Sequence, residues 1–61
     1  MKDQDFIGLS VQDALESCQA HGIDCRLAMI DGQPQFLTED LRSDRLNFTI
    51  ENDKIISIAK Y

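Results

Sequence analysis

From residue 45 the chain alternates without a break. Leu46, Phe48 and Ile50 fall on one side of an extended backbone, and Arg45, Asn47, Thr49 and Glu51 on the other. A period of two is the mark of a half-buried strand, and this strand constrains what the rest of the chain can do. An earlier apolar run, CRLAMI over residues 25–30, also reads as a strand. Cys25, Leu27 and Met29 take one face, while Ala28 and Ile30 make the other semi-apolar, as a central strand requires. If these two strands pair in parallel, they need a crossover of roughly a dozen residues, because a tight turn can join only an antiparallel pair. The gap between Ile30 and Arg45 has about that length and carries no helical periodicity. Long structureless connections in compact domains are characteristically functional or disordered.

Upstream, the polar stretch over residues 1–5 is expected to fray, and Phe6, Ile7 and Leu9 supply the first apolar anchors, with Gly8 allowing a bend between them. A helix follows. Ser10 is placed to cap it and Asp13 to complete a capping box, and Val11, Ala14, Leu15 and Cys18 form one apolar stripe. Gly22 falls where a left-handed residue ends a helix, with Ile23 as the hydrophobic contact after it. His21, in the last turn, reads as a partly exposed imidazole near free carbonyls, since no nucleophile and orienting acid are placed with it. After Asp31-Gly32, residues 33–35 read as turn or extended segment around Pro34. Asn52-Asp53 is a hairpin signal, and residues 54–59 give a last strand with Ile56 and Ile58 alternating and Ile55 covering a rim. One capped helix and about three strands make a single small α+β domain over residues 1–61, the helix laid on one face of a mixed sheet.

The bulk numbers exclude several classes. A chain of 61 residues supports one small core and no lined active-site cleft. The net charge of -5, with no local cluster of Lys or Arg, opposes the phosphate neutralisation that nucleic-acid binding needs. No apolar run approaches a membrane span, and MKDQDF lacks the layout of a secretory signal. The chain is therefore expected to be cytoplasmic if complete, and secreted or periplasmic if a leader was removed. Cys18 and Cys25 have no metal-ligand companions beyond His21 and do not have the spacing of a zinc pair or a redox motif. They are read as two buried small apolar residues, with a disulfide as the alternative. No metal, cofactor or catalytic set is expected, and the chain is not read as an enzyme.

The remaining feature is the segment LTEDLRSDRLN, residues 37–47. Arg45 and Asn47 lie on the strand face that can point back toward it. An arginine fork can hold the Asp40 carboxylate, and Asn47 can bond the hydroxyl or backbone of Thr38. On spacing alone, solvation of these charges is the simpler reading, because surface ion pairs contribute little.

The same run resembles the reactive loop of the potato inhibitor type I family, in its small bacterial and fungal branch. The pattern there is apolar, Thr, variable, acid, aromatic or apolar, Arg, variable, Asp, Arg, apolar, and Arg45-Leu46-Asn47 matches the end of that branch's loop. The likeness extends upstream to Ile7-Gly8 and Ser10-Val11 and downstream to the last strand. It implies a monomeric serine protease inhibitor with a long exposed loop joining two parallel strands. Leu37, Thr38, Glu39, Asp40 and Leu41 would be the protease-binding loop, with Glu39 in the specificity pocket and Glu39-Asp40 the scissile bond. Arg45 and Asn47 would brace it, helped by Arg42. The acidic Glu39 points to a glutamate-preferring protease as partner. The alternative is a non-inhibitory protein-interaction module of the same fold, using its acidic surface or a sheet edge.

Overall fold

In the computed structural model, which describes residues 2–35 and 42–61, local signals at both ends set the one α-helix, α1 (Val11–His21). The Ser10 hydroxyl accepts the Asp13 backbone N–H at 3.2 Å, so one of the orphan donors of the first turn is satisfied. At the other end Gly22 is left-handed at φ 66°. Its N–H reaches the Gln19 carbonyl at 3.3 Å and the Ile23 N–H reaches Cys18 at 2.8 Å, the paired bonds of a Schellman ending. His21 is in the expected place, its Nδ1 donating to the Ser17 carbonyl at 2.9 Å. Ahead of the helix, where fraying is expected, Asp3–Phe6 forms a single 3₁₀ turn. The Asp5 carboxylate accepts the Lys2 backbone N–H at 2.9 Å, and the turn delivers Phe6 into the core with no exposure.

Among the described residues four strands follow: β1 (Cys25–Ile30), β2 (Gln33–Pro34), β3 (Leu46–Glu51) and β4 (Lys54–Lys60). They form one mixed sheet in the order β2-β1-β3-β4, with β1 and β3 parallel and the outer pairs antiparallel. The fold is a small α+β domain with one strand more than the alternation announces. The additional strand, β2, is the two-residue return of a tight hairpin at Asp31 (φ 50°) and Gly32 (φ 80°). Pro34 is accommodated there because β2 is an edge strand and needs no second ladder. A matching turn at Asn52 (φ 51°) and Asp53 (φ 63°) joins β3 to β4, two left-handed residues in succession despite the missing glycine. The two turns are stitched together, since the Asp31 carboxylate accepts the Asn52 N–H at 2.9 Å.

The core lies between α1, the 3₁₀ turn and one sheet face. It is built from Phe6, Ala14, Cys18, Leu46, Phe48, Ile50 and Ile55, with the Phe6 and Phe48 rings 5.3 Å apart. Leu15, on the expected stripe, is at its margin and 40% exposed. Two bulges change which residues take part. In β1, Leu27 pairs with Phe48 but Met29 pairs with Thr49, so Ala28 is the extra residue. Ile30, not Met29, therefore joins Cys25 and Leu27 against the core. In β4, Ser57 pairs with Thr49 and Ile55 with Ile50, which leaves Ile56 unpaired and 44% exposed while Ile55 is fully inside. The expected alternation of Ile56 with Ile58, and Ile55 at a rim, is corrected by that one inserted residue, because a bulge reverses the facing of everything beyond it.

Candidate functional site

The connection between the parallel strands leaves from one end of β1 and returns at the other. At its entry the Gln35 N–H donates to the Ala28 carbonyl at 3.0 Å, and at its exit the Leu46 N–H donates to the Asp24 carbonyl at 3.0 Å. Ala28 and Asp24 are about 13 Å apart along an extended strand. The chain between the anchors has more than twice that length when extended, roughly 33 Å. The proposed protease-binding residues Leu37, Thr38, Glu39, Asp40 and Leu41 lie in this connection and outside the described residues. So do the partners expected for the braces, Asp40 for Arg45 and Thr38 for Asn47.

The three bracing candidates are described, and they belong to two polar networks near the exit, Arg42 to one and Arg45 with Asn47 to the other. Arg42 bridges two carboxylates, Asp24 in the α1-to-β1 connection and Asp44 at 3.1 Å on its own segment. Hydrogen bonding from Arg42 is the first cause that holds the Asp44 carboxyl below the usual carboxylate range; the same bond pushes the Arg42 guanidinium up. Both side chains are at the surface, so this clip is a positional device more than a source of stability.

Arg45 and Asn47 differ from Arg42 in being buried, at 6% and 1% exposure. The strand face opposite the helix is therefore not solvated at this end. The Arg45 Nε–H donates to the Tyr61 carbonyl at 3.1 Å. The Asn47 amide is engaged at both ends: its NH₂ donates to the Ala59 carbonyl at 3.2 Å and the Tyr61 carbonyl at 3.1 Å, and its Oδ1 accepts from Arg26 Nε at 2.5 Å. A buried amide with its donors and its acceptor all matched costs little to desolvate and is fixed in orientation. Across the sheet Arg26, Asn47 and Ala59 stand in one row, which is why β1, β3 and β4 all contribute to it. The Tyr61 ring covers the Arg26 guanidinium, 5.4 Å from its centroid.

Sequence reasoning nominated Arg42, Arg45 and Asn47 and missed Asp24, Arg26 and Tyr61. Arg26 carries a usable signal, as the one charged residue in an otherwise apolar strand. Tyr61 carries none, since it follows the last alternating pair. No protein-family model matches the chain, and no curated protein or solved structure matches it either. The site has to be judged on its own chemistry.

That chemistry is one of holding. Among the described residues no group of three or more acidic, histidine or cysteine side chains comes together to hold a metal. Cys18 and Cys25 are free thiols, the first buried and the second half-buried. Burial first, then hydrogen bonding with Cys25, pushes the Cys18 thiol up to about 12, away from the thiolate that nucleophilic or metal chemistry requires. Among the described residues no helix is long and apolar enough to cross a membrane.

Proposed function

We propose that this chain is a serine protease inhibitor that offers a substrate-like loop over about residues 37–45, with residues 37–41 binding the protease, Glu39 as the specificity residue and Glu39-Asp40 as the bond presented for cleavage. The observation that carries this reading is the buried polar clamp of Arg45 and Asn47 at the loop's exit. Two polar side chains taken out of water at the foot of a long connection hold the main chain of that foot in one place. Ordinary surface loops have no need of such a clamp. A loop fixed before binding loses little conformational entropy when a protease closes on it. After acylation, the segment beyond the cut stays tethered through Arg45 and Asn47, so its new amine remains at high effective concentration and religates in preference to leaving. The domain acts as a rigid holder and not as a catalyst. The resemblance of LTEDLRSDRLN to the potato inhibitor type I loop supplies the frame in which Glu39 takes the specificity position.

The test is an inhibition panel of subtilisin, elastase, chymotrypsin and a glutamyl endopeptidase. Tight inhibition of the glutamate-preferring enzyme is expected. Glu39→Leu should move the preference toward subtilisin-like enzymes, and Arg45→Ala should convert the inhibitor into a substrate cut at the loop. Rapid cleavage of the wild-type chain at several loop bonds, with no inhibition constant below the micromolar range, refutes the reading. A non-protease partner whose binding survives Glu39→Ala would replace it with the interaction-module alternative.

A further inference from the structure

Asn47 is held by its surroundings in only one orientation, and the group that decides it is on a different strand. The two carbonyls of Ala59 and Tyr61 need a donor, and Arg26 Nε–H needs an acceptor. Turning the amide over would set its oxygen against two carbonyl oxygens and its NH₂ against an N–H donor. We propose that Arg26 is a positioning residue for the loop: it locks the Asn47 amide so that the foot of the loop stays tied to the end of β4. This rests on the inhibitor reading above.

Arg26 is suited to this role by shape as well as charge. Its planar guanidinium can donate in-plane to Asn47 and at the same time lie under the Tyr61 ring, which a lysine ammonium cannot do. Tyr61 contributes twice, through its carbonyl to Arg45 and Asn47 and through its ring to Arg26. The contacts therefore form a closed circuit over β1, β3 and β4: Arg26 sets Asn47, Asn47 holds Tyr61, and Tyr61 covers Arg26. Arg26 acts on the loop through Asn47, at a register point directly opposite it in the parallel pair.

The inference is tested with Arg26→Lys, Tyr61→Leu and Asn47→Ala, alone and with Arg26→Lys and Asn47→Ala combined, each checked for an intact fold by its amide spectrum. Two rates are read. The first is solvent exchange of the Asn47 side-chain NH₂ by nuclear magnetic resonance. The second is cleavage at Glu39-Asp40 by a glutamyl endopeptidase. Arg26→Lys should speed both by about ten- to a hundredfold, the ratio that loss of a hydrogen bond to a charged group corresponds to. Tyr61→Leu, a change at a half-exposed ring that the fold can tolerate, should speed both severalfold and decides the matter if Arg26→Lys does not fold. In the Asn47→Ala background, Arg26→Lys should add nothing to the cleavage rate. Unchanged Asn47 exchange in folded Arg26→Lys, or additive effects on cleavage, overturns the inference. If the wild-type chain inhibits nothing but its Asn47 exchange responds as expected, the inhibitor reading falls and the lock on Asn47 stands.

Discussion

At the scale of single residues, Cys18 shows how burial redirects chemistry. It is 2% exposed where α1 meets the sheet, with the Cys25 thiol as its polar neighbour. Its folded-state pKa is raised from 9.0 to about 12, so the unfolded chain gives up this proton before the folded one does. The stability tied to the neutral thiol is complete below pH 9 and is lost as the pH rises toward about 12. A series of thermal melts across that range should show a falling midpoint, and Cys18→Ala should flatten the fall. An identical slope in the variant would mean that Cys18 does not supply it. Cys18 fills apolar volume in the core, and the half-buried Cys25 packs against it.

At the scale of elements, the helix is the part most nearly written in the chain. Ser10 and Gly22 act within one turn of their own positions, so their roles need no knowledge of the rest of the fold. Gly22→Ala forces a Cβ into a left-handed backbone and should destabilise the domain by about 1 kcal/mol, read from a denaturant midpoint at constant slope. Strands β1, β3 and β4 are legible as strands, and β3 also in its facing, but the facing of β1 and β4 is not. Alternation assigns sides only while the pairing is regular, and the bulges at Ala28 and Ile56 are decided by the partner strands, which have no local signature. The candidate site divides in the same way. Alternation puts Arg45 and Asn47 on one face of β3, yet their burial depends on Arg26 and on the end of β4, both remote in sequence. The hairpin at Asn52-Asp53 formed without glycine because asparagine and aspartate tolerate the left-handed region.

For the molecule as a whole, one core is shared among nearly all the elements, and it has little reserve. A domain of this size has a total stability of roughly 3–9 kcal/mol. Removing a buried phenylalanine side chain costs about 3–5 kcal/mol. Phe48→Ala, at the centre of β3 and against Phe6, should therefore leave the chain largely unfolded at 37 °C by circular dichroism. Retention of a cooperative melt near the wild-type midpoint would show that the core is less concentrated than the packing implies. The β4 edge is managed in part by the chain before the helix, where Gly8 donates to the Ile55 carbonyl at 2.8 Å and Leu9 accepts from Ile55 at 2.9 Å. The parallel pairing of β1 with β3 also sets a timetable for folding. Strand β3 meets β4 through a two-residue turn, an event of microseconds, but it can meet β1 only after the long connection has closed on itself. Closure entropy grows slowly with length, about 0.6 kcal/mol for each doubling. A flexible insertion between residues 39 and 40 that doubles the connection should then slow refolding by about threefold and leave the unfolding rate nearly unchanged. The segment that gives the domain its proposed use is thus also the one whose length sets the pace at which its central strand is completed.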